Sequence, residues 1–139
     1  MSGTGSFDLA DVMLHLEGGG PVVDMPVSGA FWETLIRGTG DDRGALYLRA
    51  AAPGWLMGIF EMTGNSSTWE MHPRGGEVLT LLSGALTVVF DEPAGERRVA
   101  LLPGQTCLVP QGTWHRFEVQ APGRLLAVTY GEGTEHRPV

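Results

Sequence analysis

Four side chains in the middle of the sequence have the types and the spacing to hold one metal ion: Glu70, His72, Glu77 and His115. Residues two apart on a β-strand point to the same side, so Glu70 and His72 project together with Met71 opposite. The strand rise sets their Cα atoms roughly 6.5–7 Å apart. That is a workable bite for donors that each approach an ion to about 2.0–2.2 Å. Pro73 and the pair Gly75-Gly76 turn the chain so that Glu77 opens the next strand beside them. His115 comes from elsewhere: the turn Pro110-Gln111-Gly112 delivers it to the head of a strand whose Phe117 shares its face. Two imidazoles with two carboxylates suit Mn, Fe, Ni or Zn better than a soft metal. A lone Glu-x-His pair on a strand is commonly just surface, and the full four-residue spacing is what gives this set its weight.

The elements that must position these residues are read from periodicity. Asp8 caps a short helix whose face is Leu9, Val12, Met13 and Leu16, ended by Gly18-Gly19-Gly20; His15 falls near its C-terminal end as a surface residue. Pro21 to Pro26 reads as extended. Ser28 caps a second short helix with Phe31, Trp32, Leu35 and Ile36 as its apolar face and Gly38 as its stop. Residues 38–44 are loop, and from Ala45 the period becomes that of strands: Leu46–Arg49, Trp55–Met62, Trp69–His72, Glu77–Leu82, Leu86–Phe90, Arg97–Leu102, Thr106–Val109, Trp114–Val119 and Leu125–Tyr130. Short strands joined by Gly/Pro turns predict an all-β sandwich or barrel. The expected organisation is a single domain over 1–139, with a helical and extended flank at 1–44, a β-barrel at 45–130 and a C-terminal arm at 131–139 in which His136 is solvated.

Composition narrows the function classes. The net charge is −7, there is no lysine, and the arginines are scattered apart from Arg97-Arg98. No basic stripe is present to track a phosphate backbone or an anionic membrane, so neither nucleic acid nor membrane is an expected partner. The N-terminal MSGTGSFDL does not read as a signal peptide, and no apolar run approaches spanning length. Cys107 is the only cysteine, so no internal disulfide forms; a reducing, cytoplasmic setting follows, with Cys107 as a small core residue. Trp69 and Trp114 each precede a site residue and belong to the opposite strand face, in outer packing. Phe117, Met57, Ile59, Phe60, Met62, Thr80 and Tyr130 are candidates to line the barrel, and Arg74 and Arg116 flank the site in sequence.

The spacing resembles the cupin superfamily. Its first motif runs Gly-x5-His-x-His-x3–4-Glu-x6-Gly, and Gly64, His72, Glu77 and Gly84 fall on it. Its second runs Gly-x5-Pro-x-Gly-x2-His, and Gly104, Pro110, Gly112 and His115 fall on it without a gap. The phrases WEMHPRGGE, VPQGTWHR and GEGTEHRP are similar to a group of small single-domain bacterial cupins. The resemblance implies a double-stranded β-helix, the jelly-roll barrel, with a divalent metal held by His72, Glu77 and His115, and frequent homodimers. Glu70 departs from the pattern, which has a first His there. As a carboxylate it makes the set harder and gives it a formal charge of −2; it is a ligand, an acid/base, or the mark of a site without metal. With an ion (Fe, Mn, Ni or Zn), a small organic substrate and Glu70 or Glu77 moving a proton, dioxygenase, isomerase or lyase chemistry would follow. The alternative is a non-catalytic small-molecule binder whose metal is structural or absent, and the fold does not decide between the two.

Overall fold

The protein is described here by a computed structural model covering residues 5–50 and 53–139. Its elements are β1 (Val12–Leu16), β2 (Val22–Pro26), α1 (Gly29–Arg37), α2 (Arg43–Ala50), β3 (Trp55–Met62), β4 (Thr68–Met71), β5 (Glu77–Leu81), β6 (Ala85–Glu92), β7 (Gly95–Leu101), β8 (Thr106–Val109), β9 (Trp114–Ala121), β10 (Gly123–Thr129) and β11 (Glu135–Pro138). They form a six-stranded sheet in the order β2-β1-β3-β10-β5-β8 and a five-stranded sheet in the order β11-β4-β9-β6-β7. From β3 onward the chain crosses from one sheet to the other at every connection except the β6–β7 hairpin. The two sheets therefore face each other as a double-stranded β-helix. Among the described residues no helix is long and apolar enough to cross a membrane.

Alternation along the strands fills the space between the sheets. Leu79 and Leu81 of β5, Leu86, Val88 and Phe90 of β6, and Leu125 of β10 are all 2% exposed or less. Burying each such side chain contributes about 1.5–3 kcal/mol, and together they make the interior a packed core rather than a tube. Cys107 is part of that core. Phe60, Met62 and Phe117 pack against it, as expected of barrel-lining residues. Met57 and Ile59 alternate with Phe60 and lie on the other face of β3, and the Thr80 hydroxyl is exposed and bonded to Thr106, so these three do not line the interior.

Four local expectations are corrected. Residues 12–16 are strand, not helix. The Asp8 carbonyl accepts from the N–H groups of Asp11 and Val12, which makes a single turn, and β1 then pairs on both sides, with Leu14 opposite Asp24 of β2 and Met57 of β3. His15 is accordingly buried, with its Nδ1 3.1 Å from the Tyr47 hydroxyl, and is not a surface residue. Residues 46–49 are helix, not strand: Asp42 accepts from Ala45 N–H through its carboxylate and from Leu46 N–H through its carbonyl, which starts α2. Ser28 precedes α1 but does not cap it; its hydroxyl donates to Asp42 instead. Gly38 does end α1, in the left-handed conformation at φ +73°.

Phe31 of α1 and Ala45 of α2 are fully buried against Met13 and Met25, and Phe60 touches both this cluster and the barrel core. The helices are thus a flank on the barrel. The segments read as flank and arm nevertheless supply strands: β1 and β2 extend one sheet, and β11 forms an edge of the other.

Candidate metal centre

Each of the four residues reaches the centre from a different structural position. Glu70 stands on β4, directly opposite His115 of β9 in the antiparallel register. His72 follows β4 by one residue, where Pro73 turns the chain. Glu77 opens β5 in the other sheet, opposite Val109 on one side and Thr129 on the other. The cluster therefore bridges the two sheets at one end of the barrel. Gly75 makes this turn feasible, because a Cβ there would overlap the Tyr130 side chain.

The donor atoms converge. His72 Nε2 lies 3.1 Å from Glu70 Oε1 and 3.5 Å from Glu77 Oε2; His115 Nε2 lies 3.1 Å from Glu77 Oε1 and 3.8 Å from Glu70 Oε1. The four ligand atoms all fall within 4.8 Å of one another. Two donors about 2.1 Å from one ion at ordinary coordination angles stand roughly 3.0–3.4 Å apart, so the gathering has the right scale. The two imidazole rings are 5.3 Å apart, and the phenyl ring of Phe117 packs edge-on against His115 at 5.9 Å.

Hydrogen bonds set which nitrogen faces the centre. The Thr134 hydroxyl donates to the Gly131 carbonyl, so it accepts from His72 Nδ1–H at 2.8 Å. The Thr113 carbonyl can only accept, so His115 Nδ1–H donates to it at 3.2 Å. Both rings thereby turn Nε2 inward. The Thr129 hydroxyl donates to Glu77 Oε2. His72 Nε2, His115 Nε2 and Glu77 Oε1 are buried with no hydrogen-bond partner outside the cluster, facing one another across the centre. An unprotonated Nε2 lone pair facing a carboxylate oxygen is repulsive unless a proton or a cation stands between them. The residues thus fit a divalent ion, and His/Glu donors oriented by outer hydrogen bonds are what such an ion requires.

Electrostatics agree. Burial opposes ionisation of Glu77, yet His115 and His72 together hold its pKa down at about 2. Burial favours neutral His72, yet Glu70 and Glu77 raise its pKa to about 9. Burial pushes Glu70 up as well, and its contacts with His72 and His115 outweigh that and the repulsion from Glu77, leaving it below the usual carboxylate value. Without an ion, a proton on His72 fills the cation's role.

Other expectations sort clearly. Arg116 does not flank the centre; it points to the opposite face of β9, where it donates to Glu118 and lies 5.0 Å from the Trp69 ring. Trp69 and Trp114 do pack on the outer face, each against the Arg137 guanidinium. Arg74 borders an open hollow of about 660 Å³ with Pro73, Gln111 and Tyr130. Three participants escaped the sequence reading: Thr129, Thr134 and above all His136, whose Nε2 is 2.9 Å from Glu70 Oε2. His136 is therefore not simply solvated. The available signal was the turn Gly131–Gly133 ahead of a four-residue strand.

Comparison with known proteins completes the picture. The model of the family described as "Cupin domain" matches residues 59–129, more than half of the chain and the whole of both motif regions. Among solved structures, a cupin-2 domain containing protein from Shewanella frigidimarina is 17% identical, with 55% of this chain and 70% of that one covered at a TM-score of 0.48. A cupin superfamily protein from Desulfitobacterium hafniense is 19% identical over 58% of this chain and 69% of that one, at 0.48. A hydroquinone 1,2-dioxygenase in complex with Cd2+ and 4-hydroxybenzonitrile is 25% identical over 58% of this chain and 60% of that one, at 0.47. No curated protein matches the sequence. The family match over 59–129, on a double-stranded β-helix with both sets of motif residues turned to one centre, means that the chain belongs to the cupin family.

Proposed function

We propose that this cupin binds one divalent ion through Glu70, His72, Glu77 and His115 and uses it on a small organic molecule. The observation that carries the reading is the set of buried atoms with no partner outside the cluster (His72 Nε2, His115 Nε2 and Glu77 Oε1) that face one point while the outer nitrogens of both rings are engaged elsewhere. A bound ion of the Fe, Mn, Ni or Zn type would supply Lewis acidity or redox capacity there. The chain's own groups divide the remaining work. Glu77, with its side chain 5% exposed and tied to Thr129, is suited to hold the ion and not to exchange protons with substrate. Glu70, one-third exposed, is the carboxylate a substrate can reach, and it is the group placed to accept or return a proton.

A second reading has an observation in its favour. Three of the four residues are closed off from solvent, and the open hollow beside Arg74 does not include them among its walls. A centre filled by four protein ligands would serve a non-catalytic binder, with the ion holding the barrel mouth together. Metal analysis and an oxygen-uptake screen of small organic acids separate the readings. Untagged protein grown with Fe, Mn, Ni and Zn is expected to carry close to one ion per chain, and His72→Ala or His115→Ala to empty it. Metal below about a tenth of an ion per chain would sink the proposal. Metal at full occupancy with no substrate-dependent turnover would favour the binder.

A further inference from the structure

We infer that His136 is a positioning residue of this centre, holding Glu70 so that one carboxylate oxygen faces the ion and the other faces away. The inference rests on the metal reading above and extends it to a strand outside both motifs. Register is the first ground. His136 of β11 stands directly opposite Glu70 of β4, and Glu70 stands directly opposite His115 of β9. Directly opposed residues share a sheet face, so His136, Glu70 and His115 form one rung. The second ground is how the two oxygens of Glu70 are divided. Oε1 is 3.1 Å from His72 Nε2 and 3.8 Å from His115 Nε2, whereas Oε2 is 2.9 Å from His136 Nε2. An ionised carboxylate only accepts, so the His136 nitrogen donates.

Glu70 is the member of the set that needs such support. Glu77 is enclosed and His72 and His115 are fixed through Nδ1, but the Glu70 side chain is 34% exposed at the rim. A flexible carboxylate at that position has water as a competing partner. The strand that carries His136 is itself well anchored: Arg137 donates to Asp91 and lies over the Trp69 and Trp114 rings on the outer face, and Val139 N–H donates to the Ser67 carbonyl. Arg137 outward fixes His136 inward. His136 does not belong to the four donors that gather within 4.8 Å, so it acts through Glu70 and not as a ligand.

The test is Co2+ binding to the full chain, measured by chelator competition and by the visible absorption of the bound ion. His136→Leu is expected to weaken Co2+ binding about 10–100-fold and to change the Co2+ band, because the Glu70 carboxylate is released to rotate. His136→Gln, which keeps a donor N–H at similar reach, is expected to stay within about threefold of wild type with the same band. Since His136 is 40% exposed, Leu fits at this position; circular dichroism of the metal-free variants verifies that the sheets persist. A His136→Leu protein with wild-type affinity and spectrum overturns this inference alone. Loss in the Gln variant equal to that in the Leu variant also overturns it. A wild-type protein that takes up no Co2+ overturns the metal reading and this inference with it.

Discussion

Removing the ion and varying pH reads the centre through stability. In the metal-free protein the His72 pKa rises from 6.5 to about 9, and that of Glu77 falls from 4.5 to about 2. Their side chains are 2% and 5% exposed, so solvent does little to weaken the contact. A displacement of about two and a half pKa units corresponds to about 3 kcal/mol. The displacements overlap in the His72–Glu77 contact, while Glu70 leads in raising His72 and His115 leads in lowering Glu77, so the two are not summed. For His72 the protonated ring favours the fold, so its contribution is complete below pH 6.5 and gone above about 9. For Glu77 the ionised form favours the fold, so its contribution is complete above pH 4.5 and gone below about 2. Both are complete only between 4.5 and 6.5.

The chelated protein should therefore be most stable near pH 5–6 and lose about 3 kcal/mol by pH 9, on the order of 10 °C in its unfolding midpoint. An ion displaces the proton from His72, so its binding releases protons and strengthens as pH rises over the same interval. With Zn2+ present the alkaline fall should vanish. Thermal unfolding followed by circular dichroism between pH 5 and 9, with EDTA and with Zn2+, makes the comparison. A chelated protein whose midpoint is flat from pH 6 to 9 would refute the argument, since His72 would then have no carboxylate partner to lose.

Two further substitutions probe the supports of the centre. Thr134→Val removes the acceptor for His72 Nδ1–H; Zn2+ affinity should fall about 10–100-fold and stability by about 1–3 kcal/mol, with Thr134→Ser restoring both in chelator competition and urea unfolding. Gly75→Ala drives a methyl into the Tyr130 side chain beneath the turn that joins His72 to Glu77; it should destabilise by about 1–3 kcal/mol and lower Zn2+ affinity as well, and wild-type urea unfolding would show that the turn has room.

Much of the barrel was legible because its strands from Trp55 to Thr129 are short, alternate, and are cut by Gly/Pro turns, and because the four site residues lie at strand ends where such turns place them. What failed to read did so for physical reasons. Residues 12–16 are apolar on both faces, since β1 is covered on both sides; a strand of that kind has no period of two to detect, and Val12, Met13 and Leu16 also fit a helix. Ala45 to Leu48 is a short apolar run that suits either element, and Asp42 decided it through hydrogen bonds that spacing does not reveal. β11 carries almost no hydrophobic signal, because its inward residue is His136 and its outward one is Arg137, stacked on two tryptophans. Its partner strand lies more than sixty residues away in sequence, so no local pattern could announce the pairing.

The misread strand and the unexpected residue at position 70 belong to one arrangement. A carboxylate in place of an imidazole there adds a negative charge beside Glu77, and two such groups near one another repel unless cations lie close to both. The inner oxygens have a proton on His72, or an ion, to balance them. The outer oxygen of Glu70 points away from that compensation and meets His136 instead. The sheet register makes this pairing obligatory once β11 docks on β4, because Glu70 opposes His136 on one side and His115 on the other. A shift of β11 by one residue would turn Glu135 or Arg137 inward: the first sets a third carboxylate against Glu70, and the second takes the guanidinium off its tryptophans. Edge-strand register and the charge balance of the centre therefore select the same alignment, which is how a polar strand with little apolar surface to bury can still dock in one position.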